Sequence, residues 1–118
     1  MTVRLLLAPA AALLISGCNM TSADEPDPTN PFHCGVAFSI LYGMAKSSGS
    51  PHEAMMYRRM TWEAQKAGAL PASERSREEG EALMKRLMAD QQEVSETAFA
   101  CMQRQDQDPS FRTAQVGQ

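Results

Sequence analysis

Asn30-Pro31-Phe32-His33-Cys34-Gly35-Val36-Ala37-Phe38-Ser39-Ile40-Leu41-Tyr42-Gly43-Met44-Ala45-Lys46 decides the fold. Asparagine before proline is a helix start, because the Asn side chain can accept a backbone N–H and proline at the first helical position lacks the N–H that would go unpaired. The apolar residues that follow lie around most of the helix circumference, so the spacing predicts a helix from about Pro31 to Lys46 that is buried on several sides. A helix of this kind needs other helices around it. Gly35, Ser39 and Gly43 recur every fourth residue and form a strip of small side chains, along which a neighbour can approach closely.

The flanking sequence supplies those neighbours. The first helix should end at Ser47-Ser48-Gly49, and Ser50-Pro51-His52-Glu53 reads as an N-cap serine, an N1 proline and a glutamate placed to close a capping box. The second helix, Glu53 to Ala67, puts Met56, Met60, Ala64 and Ala67 on the face expected in the core. Arg59, Trp62 and Lys66 fall on another face at spacings of three and four, which sets the only tryptophan between two cations as a surface cation–π cluster or the rim of a binding site. Gly68 and Pro71 stop this helix. Ser76-Arg77-Glu78-Glu79 repeats the capping box, with Ser73 as an earlier possible start, and Leu83, Leu87, Val94, Ala98 and Cys101 continue an apolar seam. Asp90-Gln91-Gln92-Glu93 can cap a fourth helix. The expected fold is an all-α bundle of three to four helices over residues 30–103. Residues 104–118 read as a polar, mostly disordered tail, from which Phe111 can dock on the domain.

At the other end, a basic start at Met1 to Arg4 precedes an apolar run from Leu5 to Ile15, too short to span a bilayer, and Leu14-Ile15-Ser16-Gly17-Cys18 closes it. This segment resembles the lipobox of bacterial lipoproteins. The resemblance covers residues 1–18 and implies a signal peptide over 1–17, acylation of Cys18, and attachment to the lipid bilayer with the domain in the periplasm of the cell envelope. Asn19 in place of aspartate favours the outer membrane. The competing reading is ordinary cleavage after Thr21-Ser22-Ala23, which would leave a secreted chain. Residues 18–29, rich in Asp, Pro, Ser and Thr, read as a tether between lipid and domain.

With Cys18 acylated, Cys34 and Cys101 remain, and in an oxidising periplasm they should pair. Cys34 opens the first helix and Cys101 lies near the end of the helical region. An unbroken three-helix bundle would hold them at opposite ends, further apart than a disulfide allows. Either the chain reverses near Asp90, which is preferred, or the segment from Gly68 to Ser76 crosses over. Closing so long a loop stabilises the fold by about 4 kcal/mol in the chain-entropy model. A catalytic role for Cys34 has no support beyond its neighbour His33, which points about a hundred degrees away on a helix. No catalytic constellation, phosphate loop or cofactor motif is present, so no enzyme activity and no cofactor are expected.

The chain carries net charge −3, and its cations are interleaved with glutamate instead of forming a stripe, which argues against nucleic acid as a partner. Nine methionines are the one compositional oddity. His52, Met56 and Met60 fall at i, i+4 and i+8, a soft donor set suited to Cu(I) if it is not simply core. Methionines can also line a flexible groove for peptides. Two cysteines bounding the helical region, the second within Phe99-Ala100-Cys101-Met102-Gln103, and a polar stretch leading to Phe111 look somewhat like the small two-cysteine acid-stress chaperones of the bacterial periplasm. The expected activity is binding of an envelope protein partner, with Cu(I) binding and chaperone-like action as alternatives.

Overall fold

The computed structural model describes residues 25–71 and 76–116. The signal-like segment, Cys18, the first part of the tether and Ser73 lie outside the described residues. Five helices occur among the described residues: α1 Pro31–Ser48, α2 Glu53–Ala67, α3 Arg77–Ala89, α4 Gln91–Asp106 and α5 Pro109–Val116. The protein is an all-α bundle, and α1 is central, packing on α2, α3 and α4.

The starts follow the sequence logic, with one recurrent departure. Asn30 Oδ1 accepts from Phe32 N at 2.8 Å, Ser76 Oγ accepts from Glu79 N at 3.1 Å, and Asp90 Oδ1 accepts from the backbone of both Gln92 and Glu93 at 3.1 Å. The glutamates of the boxes are used elsewhere. Glu79 meets His33 at 3.2 Å, and Glu93 makes a two-pronged pair with Arg86, both contacts at 2.9 Å. At Ser50 the hydroxyl accepts from His52 N at 3.1 Å, but the Ser50 N–H already donates to Ala45 O at 2.8 Å, closing the end of α1 over Gly49 in the left-handed conformation (φ 68°). The glutamate of that box therefore finds its target taken, and regular helix begins only at Glu53.

Asp90 breaks the third helical segment, with extended backbone between α3 and α4. The chain reverses there, which brings Cys101 back to Cys34: the two are disulfide-bonded with Cα atoms 5.8 Å apart. Around the bridge sits the contiguous core of Ala37, Phe38, Leu83, Leu87, Val94 and Ala98, all but excluded from solvent. At the other edge Phe32 lies over Gly80, where a Cβ would come within 2.8 Å of the ring, so α1 and α3 approach at a position only glycine leaves clear.

Two parts of the chain depart from the sequence reading. In α2 the buried positions are Arg59, Glu63 and Ala67, with Met56 and Met60 partly buried beside them and Ala64 exposed. The face turned inward is thus rotated toward the charged residues, because partners for those charges are available inside. The C-terminal stretch, read as a tail from residue 104, is mostly helical where it is described: α4 runs on to Asp106, and after Gln107 and Asp108 α5 follows with Phe111 buried. Its sparse apolar content suffices because one aromatic enters a prepared seat.

Candidate functional site

Three neighbourhoods carry the chemistry. The first is where the incoming chain meets the bundle. Asp27 N donates to His33 Nδ1 at 2.9 Å, which leaves the imidazole proton on Nε2, facing Glu79 Oε1 at 3.2 Å. Thr29 donates to Asp27 Oδ1 from its hydroxyl at 2.7 Å and from its backbone at 2.9 Å. Those two bonds, with smaller help from His33 and Arg104, hold the Asp27 carboxyl below its ordinary range. Pro28 O accepts from Arg104 Nε at 2.8 Å and lies 3.2 Å from Cys34 Sγ. The last residues of the expected tether are consequently bound to the disulfide end of the bundle. His33 has a structural partner on each ring nitrogen, and Cys34 is committed to its disulfide.

The second neighbourhood is a polar network inside the bundle. Glu63, fully buried, accepts from Arg104 Nη2 at 2.9 Å and from Gln105 Nε2 at 2.6 Å. Gln105 Oε1 in turn accepts from Arg59 Nη1 at 2.8 Å, and Arg59 reaches Asp106 at 3.3 Å. Burial of a carboxylate is tolerable only with such compensation. Sequence reading missed this network because three of its members, Arg104, Gln105 and Asp106, fall in the stretch taken for a tail. One signal was present: Glu63 falls beside Met56, Met60 and Ala67 on α2, and Arg59, four residues before it, borders that face.

Arg59 leads directly to the third neighbourhood. Arg59, Trp62 and Lys66 do cluster, as their spacing suggests, but not around open solvent. Arg59 is only 8 % exposed, and its guanidinium carbon lies 5.4 Å from the centre of the Phe111 ring. Trp62 meets the same ring edge-on at 5.3 Å, Lys66 Nζ lies 5.8 Å over the indole, and that ammonium pairs with Asp108 at 3.3 Å. Asp108 Oδ1 also accepts from Ser110 N at 2.9 Å, opening α5. The Ser110 bond first, and then Lys66, keep the Asp108 carboxyl below its ordinary range. The cluster is therefore a seat for the chain's own last helix.

The remaining candidates separate. His52 is exposed at the start of α2, while Met56 and Met60 pack against the core, so the three do not present a common soft-donor face. Other methionines do converge. Two adjoining cavities of about 620 and 570 Å³ lie along α1 and α3 and share Met84 and Met88. Ser39, Ile40, Gly43 and Met44 line the first, and Phe32, Val36 and Gly80 the second. The small-residue strip of α1 thus has two uses. Gly35 faces α2, where a Cβ would sit 3.9 Å from that of Glu63, whereas Gly43 has no neighbour within 4 Å and leaves the groove open. Met44 and Met88 are 42 % and 68 % exposed there.

Among the described residues no helix is long and apolar enough to cross a membrane, and no group of three or more His, Cys, Asp or Glu side chains is placed to hold a metal ion. Comparison with known proteins leaves the site to speak for itself, since no family model, curated protein or solved structure matches the chain.

Proposed function

We propose that the protein is a lipid-anchored interaction module of the bacterial envelope, tethered through acylated Cys18, and that it engages an apolar segment of an envelope protein in the groove between α1 and α3. The groove supports the binding reading: exposed Met44 and Met88, with Met84 between the two cavities, form an adaptable apolar surface of the kind that accepts varied partners. The lipobox-like segment supports the location. The reading assigns no catalytic step, consistent with His33, Glu63, Arg59 and Arg104 each being engaged in internal contacts.

A photo-crosslinking amino acid at Ser47, on the groove wall, tests this in cells. A defined crosslinked partner that is kept by Met88→Leu and lost with Met88→Glu is the expected result; capture indifferent to both substitutions refutes the groove. Mass spectrometry of the mature protein checks the anchor through diacylglycerol on Cys18.

A second reading has one observation in its favour. Met44, Met84 and Met88 bring three thioethers to a single cavity, a donor set that suits Cu(I). Changing all three to leucine keeps the groove apolar but removes every sulfur. Stoichiometric Cu(I) uptake, measured against a competing chelator and lost in that triple variant, would favour copper over a protein partner.

A further inference from the structure

The seat of α5 has features that ordinary helix packing does not require. Phe111 is buried, yet it does not belong to the contiguous core around the disulfide. It is carried by an eight-residue helix, too short to be stable alone, joined to α4 through Gln107 and Asp108. Two donors in the seat, Arg59 Nε and Trp62 Nε1, are buried and have no hydrogen-bond partner. Such groups destabilise the fold when left unpaired, and an aromatic face is a weak substitute for an acceptor. Two cations line the seat as well, the Arg59 guanidinium against the Phe111 ring and the Lys66 ammonium over the indole, each with an exposed or half-exposed aspartate, Asp106 and Asp108, as its present partner.

We propose that α5 is a built-in pseudo-ligand, and that the pocket of Arg59, Trp62 and Lys66 beneath it binds peptide segments that pair an aromatic side chain with a nearby carboxylate. The chain's own occupant has this chemistry in part. Phe111 fills the aromatic position, and Asp108 places a carboxylate on Lys66. It leaves the two inner donors unanswered. A segment whose carboxylate reaches Arg59 Nε or Trp62 Nε1 would satisfy what Phe111 cannot, and so could displace α5. This site is separate from the α1–α3 groove, and Met88→Glu should leave it unaffected.

The single tryptophan of the chain, Trp62, lies in the pocket and reports on it by fluorescence. The intact chain in detergent micelles and its Phe111→Ala variant are titrated with two probes and their neutral counterparts. Acetyl-Asp-Pro-Ser-Phe-amide, against the same peptide with Asn for Asp, tests a side-chain carboxylate. N-acetyl-phenylalanine, against its amide, tests a chain-terminal carboxylate. For at least one pair, the charged member should bind Phe111→Ala about tenfold tighter than its neutral counterpart, as expected for a desolvated charge pair. It should also bind the variant about tenfold tighter than the intact chain, whose pocket is mostly occupied. Whichever pair discriminates identifies the source of the carboxylate. Equal binding of charged and neutral probes overturns the proposal, as does equal binding by the intact chain and the variant. If Phe111→Ala loses its helical circular dichroism, Asp108→Asn takes its place: it keeps Phe111 and frees only Lys66. A gain of about threefold is then expected, and no gain overturns the proposal.

Discussion

Replacing Glu63 by glutamine, a change of one atom, should be among the most damaging substitutions in the protein. Both carboxylate oxygens accept from donors, Oε1 from Arg104 Nη2 and Oε2 from Gln105 Nε2. An amide offers one acceptor and turns its NH2 toward a second donor. Gln105 cannot relieve the clash by flipping, because its Oε1 already accepts from Arg59 Nη1 at 2.8 Å and a flip would set NH2 against that guanidinium. Breaking a buried pair from one side costs about 3–5 kcal/mol. Arg104 retains 29 % side-chain exposure, so water recovers part of that, and about 2–3 kcal/mol is the working figure. In urea, with a slope of about 1 kcal/mol per molar, the midpoint for Glu63→Gln should fall by about 2–3 M.

The decisive assay is the exchanged double variant E63Q/Q105E, followed by circular dichroism. Moving the charge to position 105 lets the new amide donate to the new carboxylate while still accepting from Arg104, and Arg59 Nη1 retains its acceptor; what is given up is the 3.2 Å bond from Gln105 Nε2 to Arg59 O. Part of the lost stability should return. A loss below about 0.5 kcal/mol for Glu63→Gln, within the range of ordinary surface substitutions, refutes the reasoning. So does a double variant no more stable than the single one, since the network argument requires coupling between these two positions.

Further outcomes are open to the same kind of measurement. Cys34→Ala or Cys101→Ala should lower stability by about 4 kcal/mol through the 67-residue separation of the bridge, and a loss under about 1 kcal/mol would show that the loop is already restrained without it. Gly80→Ala should destabilise the protein despite alanine's better helix propensity, because its Cβ would press on Phe32. Combined with Phe32→Ala the same change should instead stabilise by about 0.5–1 kcal/mol, the sign reversal being visible in thermal melts. Acid should loosen α5 and the bound tether. The Asp108 and Asp27 carboxyls are held below their ordinary value of 3.8, so their contribution is complete above that value and lost as pH falls through the lower folded one. Trp62 fluorescence followed down from neutral pH should therefore show a transition in the acid range that Asp108→Asn abolishes.

Much of this architecture is local in origin and was legible for that reason. Asn30-Pro31, Ser76 and Asp90 start helices through bonds to backbone groups two or three residues away, and Gly49 ends one by its own conformational freedom. Seam residues Leu83, Leu87, Val94 and Ala98 are buried as their period suggests. The disulfide was legible by a different route, since two cysteines that must meet are compatible with few paths, and a break at Asp90 provides one of them.

The sequence by itself determined where helices begin, that they form an all-α bundle around Pro31–Ser48, and that Arg59, Trp62 and Lys66 share a side of α2. Only the tertiary structure decided which face of α2 turns inward. Period alone favours the methionines, but burial of Arg59 and Glu63 depends on acceptors and donors delivered by Arg104 and Gln105, more than forty residues further along the chain. It likewise decided that the cationic–aromatic cluster is covered by Phe111 and that a methionine-lined groove stays open between α1 and α3. Local hydrogen bonds and periodicity are written in neighbouring residues, whereas compensation of a buried charge is a property of whatever the fold brings beside it.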